Sequence, residues 1–339
     1  PQGVDSDSEL FKLLMSDFRE FDGNPQGFRT IARLHGKKGL NMTYATLLSV
    51  LKYVRAAGEP KGPSIRKKAG YFQTEKDLVE NLWKTVGINE HCRYPLTYIM
   101  EAADDIAYCM SDIEDGIEKH VLTFDDFKRV FKYIWKKKNY PAEELDKLMT
   151  TTNRRTGELQ EIFNYKYSVS IQWSRYATDT AIETYIANHD AIYNGTFGEL
   201  IPEDSFPGRF LDVMKSVSAK LLYPSIQAES IELTGYAVIT GIIKHYDRLL
   251  RLDYEQFRTL VDGKAAKNLA VERRLFNRLG DRFVDAYRWA VDALEQNDEF
   301  AIREWHLRVH LLVDHISGTT DEYALETYQM LEGINLLKY

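Results

Sequence analysis

Residues 97–119 read TYIMEAADDIAYCMSDIEDGIEK, and seven of their side chains are carboxylates: Glu101, Asp104, Asp105, Asp112, Glu114, Asp115 and Glu118. Carboxylates at that density either form a solvated acidic face or gather around a divalent cation and the anions a cation binds. On a helical wheel at about 100° per residue, Asp104, Tyr108 and Asp112 stack at i, i+4 and i+8, with Glu101 and Asp115 on the same side. Ile99, Ala103, Ile106, Met110, Ile113 and Ile117 fall on the opposite side, the expected core face. Composition alone favours the solvated face. Three features favour the cation: like charges at i,i+4 repel one another, Ala102 and Ala103 admit a close neighbour, and a tyrosine amid carboxylates suits a ligand wall.

The elements that must position such a stripe are helices. Apolar residues recur at three- and four-residue spacing: Leu47, Leu48 and Leu51 within 43–55; Phe127, Val130, Phe131 and Ile134 within 123–137; then Phe210, Val213, Met214 and Val217; then Phe283, Tyr287, Val291 and Leu294. Alternation is scarce, and SVSIQWS (168–174) is the best strand candidate. Loops are expected at AAGEPKGPS (56–64), EDSFPGR (203–209) and ISGTTDE (316–322). A soft boundary is expected near 150–156, and there is no internal repeat. At 339 residues the chain is long enough for a large core.

A net charge of -7 argues against indiscriminate coating of nucleic acid. Basic clusters at RLHGKKG (33–39) and RKK (66–68) leave local contact with nucleotide or single-stranded DNA open. Two cysteines, Cys92 and Cys109, give no disulfide framework and point to a reducing cytoplasm. No apolar run approaches the ~20 residues of a membrane helix, and the N-terminus has no apolar signal core.

Several motifs, taken in order, carry a resemblance. MEAADDIAYCMSDIEDGIE, EFDGNPQGFRTIARL (20–34), TYATLLSVLKYVR (43–55), KKAGYF (67–72), GTFGELI (195–201), SIELTGYAVITGII (230–243) and LLVDHISGTTDEYA (311–324) resemble the deoxynucleoside triphosphate triphosphohydrolases. These are HD-domain metal phosphohydrolases, and the best-known member acts on dGTP. The resemblance spans nearly the whole chain. It implies an all-α, HD-domain-like multi-helix fold with few or no strands, as one domain over 1–339. It also implies a divalent metal (Mn²⁺, Mg²⁺ or Fe²⁺) and hydrolysis of a dNTP, dGTP preferred, to nucleoside and tripolyphosphate. A homo-oligomer, hexameric in relatives, and a single-stranded DNA effector are implied as partners, with no membrane.

In that family the metal is held by a His, a His-Asp pair and a later Asp, which corresponds to Asp104. The first three, with the catalytic His and Glu, precede the GN-x-Q segment. Only about twenty residues precede Asn24 here, and none is His, so no catalytic residue is expected in this chain and the 339 residues alone are expected to be inactive. The absent initiator Met favours a fragment of an enzyme. An inactive regulatory subunit that binds nucleotide or single-stranded DNA is the alternative. His189-Asp190 is a chance dipeptide by its flanks, and Asp314-His315 reads as structural.

The resemblance also assigns the substrate. Lys52, Tyr53 and Lys68 are candidates for the phosphates, Tyr108 for the sugar edge where a 2′-hydroxyl would sit, and Asp112 for the 3′-hydroxyl. Glu232 matches a base-recognising position, with Arg274 beside it; a carboxylate accepts from guanine N1 and N2. Ala265, next to Lys264, stands where dGTP-specific members carry arginine, so strict guanine specificity is in doubt. Asn24 and Gln26, after a glycine, are either active-site polar groups or formers of a tight turn.

Overall fold

The computed structural model describes residues 6–62, 64–149, 169–264 and 268–334. They are overwhelmingly α-helical. The only strand-like pairing among them is one isolated parallel bridge between Ala56 and Tyr71. No described helix is long and apolar enough to cross a membrane. The chain forms two compact units, one of Pro1–His91 with Thr234–Tyr339 and the other of Cys92–Leu233. The stretch 150–156 lies outside the described residues.

Local chemistry sets the helix starts. Thr43, Thr123, Ser205 and Thr320 each accept a backbone N–H of the first turn through the side-chain oxygen. Asp253 forms a reciprocal capping box with Gln256. The Pro95–Glu118 helix opens on Pro95, whose missing N–H costs nothing in a first turn.

In the Cys92–Leu233 unit, the helices Pro95–Glu118, Phe124–Lys137, Ile171–Ala187 and Phe206–Leu221 pack together. Phe127, Val130, Phe131 and Ile134 meet Phe210, Val213, Met214 and Val217 in its core, as their spacing predicts. The expected strand at 168–174 is instead helical from residue 169. Trp173, Ala177 and Ala181 recur every four residues and are buried, and the Trp173 indole donates to the Pro207 carbonyl. A helical period in small and aromatic residues prevailed over a short β-like run. The loop expected over 203–209 ends early, because Ser205 caps a helix that begins at Phe206.

In the other unit, Phe300–Ser317 is the central helix, packed by Asp281–Asp292, Tyr254–Val261, Gly23–Arg33 and Glu9–Leu14. Phe283, Tyr287 and Val291 enter the core and Leu294 packs at its edge. The helix expected over 43–55 runs only from Tyr44 to Ser49. Leu51 is buried beyond its end, and residues 51–55 continue as irregular chain.

Candidate functional site

On the Pro95–Glu118 helix, Asp104 and Tyr108 are exposed and Asp112 is half-buried, along the face their spacing predicts. Burial raises the Asp112 carboxyl above its ordinary range, and the Asp115 charge adds to this against the Tyr223 hydroxyl, which donates to Asp112 Oδ2 at 3.4 Å. Glu101 departs from the stripe. It is half-buried and pairs with Arg93, itself buried against the face of Tyr98.

The expected core face also shifts along this helix. Met110, Ile113 and Ile117 are buried in its second half. In its first half Tyr98 and Ala102 are buried, whereas Ile99 and Ala103 are exposed and line an open apolar groove with Ile182 and Ile186. A straight helix precesses against its neighbours, so a seam drawn from one end misses at the other.

Asn24 and Gln26 do not form a tight turn. Both lie in the first turns of the Gly23–Arg33 helix, capped by Asp22. Asp22 gathers two candidate residues. One carboxylate oxygen accepts from the Asn24 backbone at 3.1 Å and its side-chain amide at 2.7 Å, and the other accepts from Lys68 Nζ at 2.7 Å. Burial alone would raise Asp22; the bonds from Lys68 and Asn24 hold it below the usual carboxylate range. Lys68 is raised in turn, mainly by Asp22.

The LKY and KKAGYF motifs meet in space. Gly70 N–H donates to the Arg55 carbonyl at 2.8 Å, and Ala57 N–H to the Tyr71 carbonyl at 3.0 Å. A Cβ on Gly70 would lie 1.6 Å from the Tyr53 carbonyl oxygen, so only glycine fits. This contact seats buried Tyr53, with Lys67 5.9 Å from its ring centroid, while Lys52 stays half-buried beside it.

Glu232 is exposed on the Ile226–Leu250 helix. Arg274 is exposed on Ala270–Phe276, and its guanidinium donates back to the Ala270 carbonyl at 2.8 Å. Lys264 pairs with Asp262 at 2.8 Å. Ala265 lies outside the described residues. His189 and Asp190 are both solvent-exposed.

Two buried polar clusters went unrecognised in the sequence. Arg29 binds Asp314 through two nitrogens and also reaches Glu75 at 2.8 Å, and Gln26 donates to Asp314 at 2.9 Å. Gln26 is thus a buried structural donor, and Asp314 is structural as expected. In the second cluster, Asp17 Oδ2 lies 2.9 Å from His306 Nε2 and 3.0 Å from His310 Nε2. All three residues are buried. Among the described residues this is the one His/Cys/Asp/Glu group compact enough for a metal ion. The two histidines at i, i+4 in EWHLRVHLL were its legible signal.

Asp104 is not part of any such group among the described residues. The side chains described around it do not make a metal centre by themselves.

Comparison with known proteins follows the motifs. The deoxyguanosinetriphosphate triphosphohydrolase of Serratia proteamaculans (strain 568) is 33% identical over 345 residues, covering 96% of this chain and 67% of that protein. Proteins of the same name from Enterobacter sp. (strain 638) and Klebsiella pneumoniae are each 32% identical over 347 residues, covering 98% of this chain and 68% and 67% of theirs. No family model matches the chain. The fold is that of an all-α protein. At this identity and coverage, the chain belongs to the deoxyguanosinetriphosphate triphosphohydrolase family.

Proposed function

We propose that these residues supply the substrate pocket of a triphosphohydrolase that converts dGTP to deoxyguanosine and tripolyphosphate. The observation that carries this is the 33% identity to a protein of that name over 96% of the chain, with the Asp104–Tyr108–Asp112 stripe on one helix face.

In this reading Asp104 contributes one carboxylate to the metal site. Lys68 and Lys52 carry the cationic charge that meets the triphosphate. Lys68 is held by Asp22, so an incoming phosphate takes over a lysine already fixed in place. Asn24, on the same carboxylate, fixes the other side of that anchor. The Tyr53 hydroxyl donates to phosphate oxygen, from a residue whose backbone lies against Gly70.

Tyr108 packs on the sugar edge and leaves no space for a 2′-hydroxyl, and Asp112 accepts from the 3′-hydroxyl. Glu232 accepts from guanine N1 and N2, and Arg274 is a second candidate for base recognition. The assembly is a homo-oligomer.

The test is turnover of dGTP by the purified full-length protein with Mn²⁺, read as released deoxyguanosine and tripolyphosphate. Asp104→Ala is expected to abolish product. Full activity in that variant would remove Asp104 from the site. Tight binding of dGTP or single-stranded DNA with no product, by the full-length protein, would favour the regulatory reading.

A further inference from the structure

We propose that Asp17, His306 and His310 form a binding site for one zinc-class divalent cation, which ties the N-terminal segment to the Phe300–Ser317 helix. Asp104 is not one of its ligands, and the proposal does not depend on the activity proposed above.

The donors are pre-arranged. His306 and His310 stand one turn apart on the same face of one helix, the spacing at which two imidazoles reach a common point. Asp17 comes from the one-turn helix Ser16–Arg19, 289 residues away from His306 in sequence. The three ligand atoms lie within 4.8 Å of one another, with each Nε2 at 2.9–3.0 Å from Asp17 Oδ2. Around a tetrahedral ion with bonds of about 2.0–2.2 Å, neighbouring ligand atoms stand roughly 3.4 Å apart. The two Asp17–imidazole separations therefore need to open by only a few tenths of an ångström to match tetrahedral ligation.

The surroundings fit a metal shell. Asp17 Oδ1 accepts the Gln73 backbone N–H at 2.8 Å, which fixes the carboxylate's rotation and leaves Oδ2 for the ion. Phe18 packs on both imidazoles, with ring centroids 5.5 and 4.7 Å away, and Phe72 packs on His310 at 5.3 Å. His306 lines a cavity of about 590 Å³, bordered also by Glu75 and Asp77 and by Arg29, Arg33, Lys37 and Arg303. That cavity gives the ion a route in and leaves room for a water as fourth ligand. His310 Nδ1 is buried with no hydrogen-bond partner among the described residues.

The charge inventory is the independent observation. Asp17, Glu75 and Asp314 are three buried carboxylates, and the buried guanidinium of Arg29 pairs with Glu75 and Asp314. Arg33 approaches Glu75 only from the solvent side, at 3.8 Å. Asp17 is paired among the described residues only with the two imidazoles, and a buried carboxylate without a cationic partner is costly. A divalent cation would supply that partner. Two imidazoles and one carboxylate favour Zn²⁺ or Co²⁺ over Mg²⁺ or Ca²⁺, which prefer oxygen donors throughout.

The test is Co²⁺ titration of the intact, chelator-stripped protein, followed by visible absorption. One equivalent per chain should bind with the intense bands of tetrahedral cobalt, and Zn²⁺ should displace it. His310→Gln should weaken this binding on the order of 100-fold, since it removes a direct ligand. Asp104→Ala should leave the bands unchanged. His306→Cys keeps three ligands and should add a thiolate-to-cobalt charge-transfer band, a gain that misfolding cannot produce. If the wild-type protein gives no tetrahedral spectrum, Asp17 is simply clamped between two imidazoles by hydrogen bonds and the proposal fails. It fails equally if the bands survive His310→Gln or vanish in Asp104→Ala.

Discussion

Arg29 and Asp314, 285 residues apart in the chain, meet as a two-point pair: Nε lies 2.9 Å from one carboxylate oxygen and Nη2 2.8 Å from the other. Both are buried, and the remaining Arg29 nitrogen holds Glu75. The arginine of the GN-x-Q-x-x-R stretch therefore ties its helix to the centre of the unit. It touches no proposed substrate residue.

Removing one side of that pair leaves buried charge without a partner. Arg29→Ala should cost about 3–5 kcal/mol of unfolding free energy in urea. Arg29→Lys keeps the charge but loses the planar fork, and should recover only part of that loss. A loss below about 1 kcal/mol for Arg29→Ala would mean that Asp314 and Glu75 are neutral in the fold.

Gly70→Ala is predicted to damage the loop proposed to face the phosphates before it damages the core. Its Cβ would overlap the Tyr53 carbonyl, a backbone atom that cannot swing aside. A shift of the loop should cost about 2–4 kcal/mol and raise KM for dGTP more than it lowers kcat. An unchanged KM would separate the Tyr53–Gly70 contact from substrate binding.

His315 carries a pH dependence. Burial lowers its pKa from the ordinary 6.5, among the rings of Tyr246 and Phe283. The folded state then holds the imidazole neutral where the unfolded chain takes up a proton. Stability is full above about pH 6.5 and is lost progressively as pH falls below it. His315→Gln should flatten the slope of unfolding free energy between about pH 7 and pH 5 relative to wild type. Parallel slopes in the two proteins would show that another group titrates there.

The helical class was readable because apolar spacing is a one-dimensional record of burial. Phe127, Phe131, Val213 and Val217 all lie where that record puts them. What failed was whatever depends on a partner outside the helix being read. The wheel places Ile99 in the core and Glu101 on the open face. The packing reverses both, because Arg93 claims Glu101 and the neighbouring helix leaves Ile99 uncovered. The Asp104–Tyr108–Asp112 stripe survived because one helix sets it by itself. The Asp17–His306–His310 cluster went unseen because its third member comes from the other end of the chain.

The last prediction turns on Asp112 and Tyr108. If Asp112 accepts from the sugar 3′-hydroxyl, its removal should matter only while that hydroxyl is present. Asp112→Ala should lower kcat/KM for dGTP by about 10²–10⁴, the range for a lost buried polar contact to substrate. With 2′,3′-dideoxyGTP the same substitution should change little, because the wild-type carboxylate is then already unpaired. Tyr108→Ala should act on the opposite edge, narrowing the preference for dGTP over GTP by about 10–100-fold and leaving the dideoxy comparison untouched. If Asp112→Ala penalises dGTP and its dideoxy analogue equally, the carboxylate shapes the helix face or the field of the site. The sugar assignment would then have to move to another residue of the stripe.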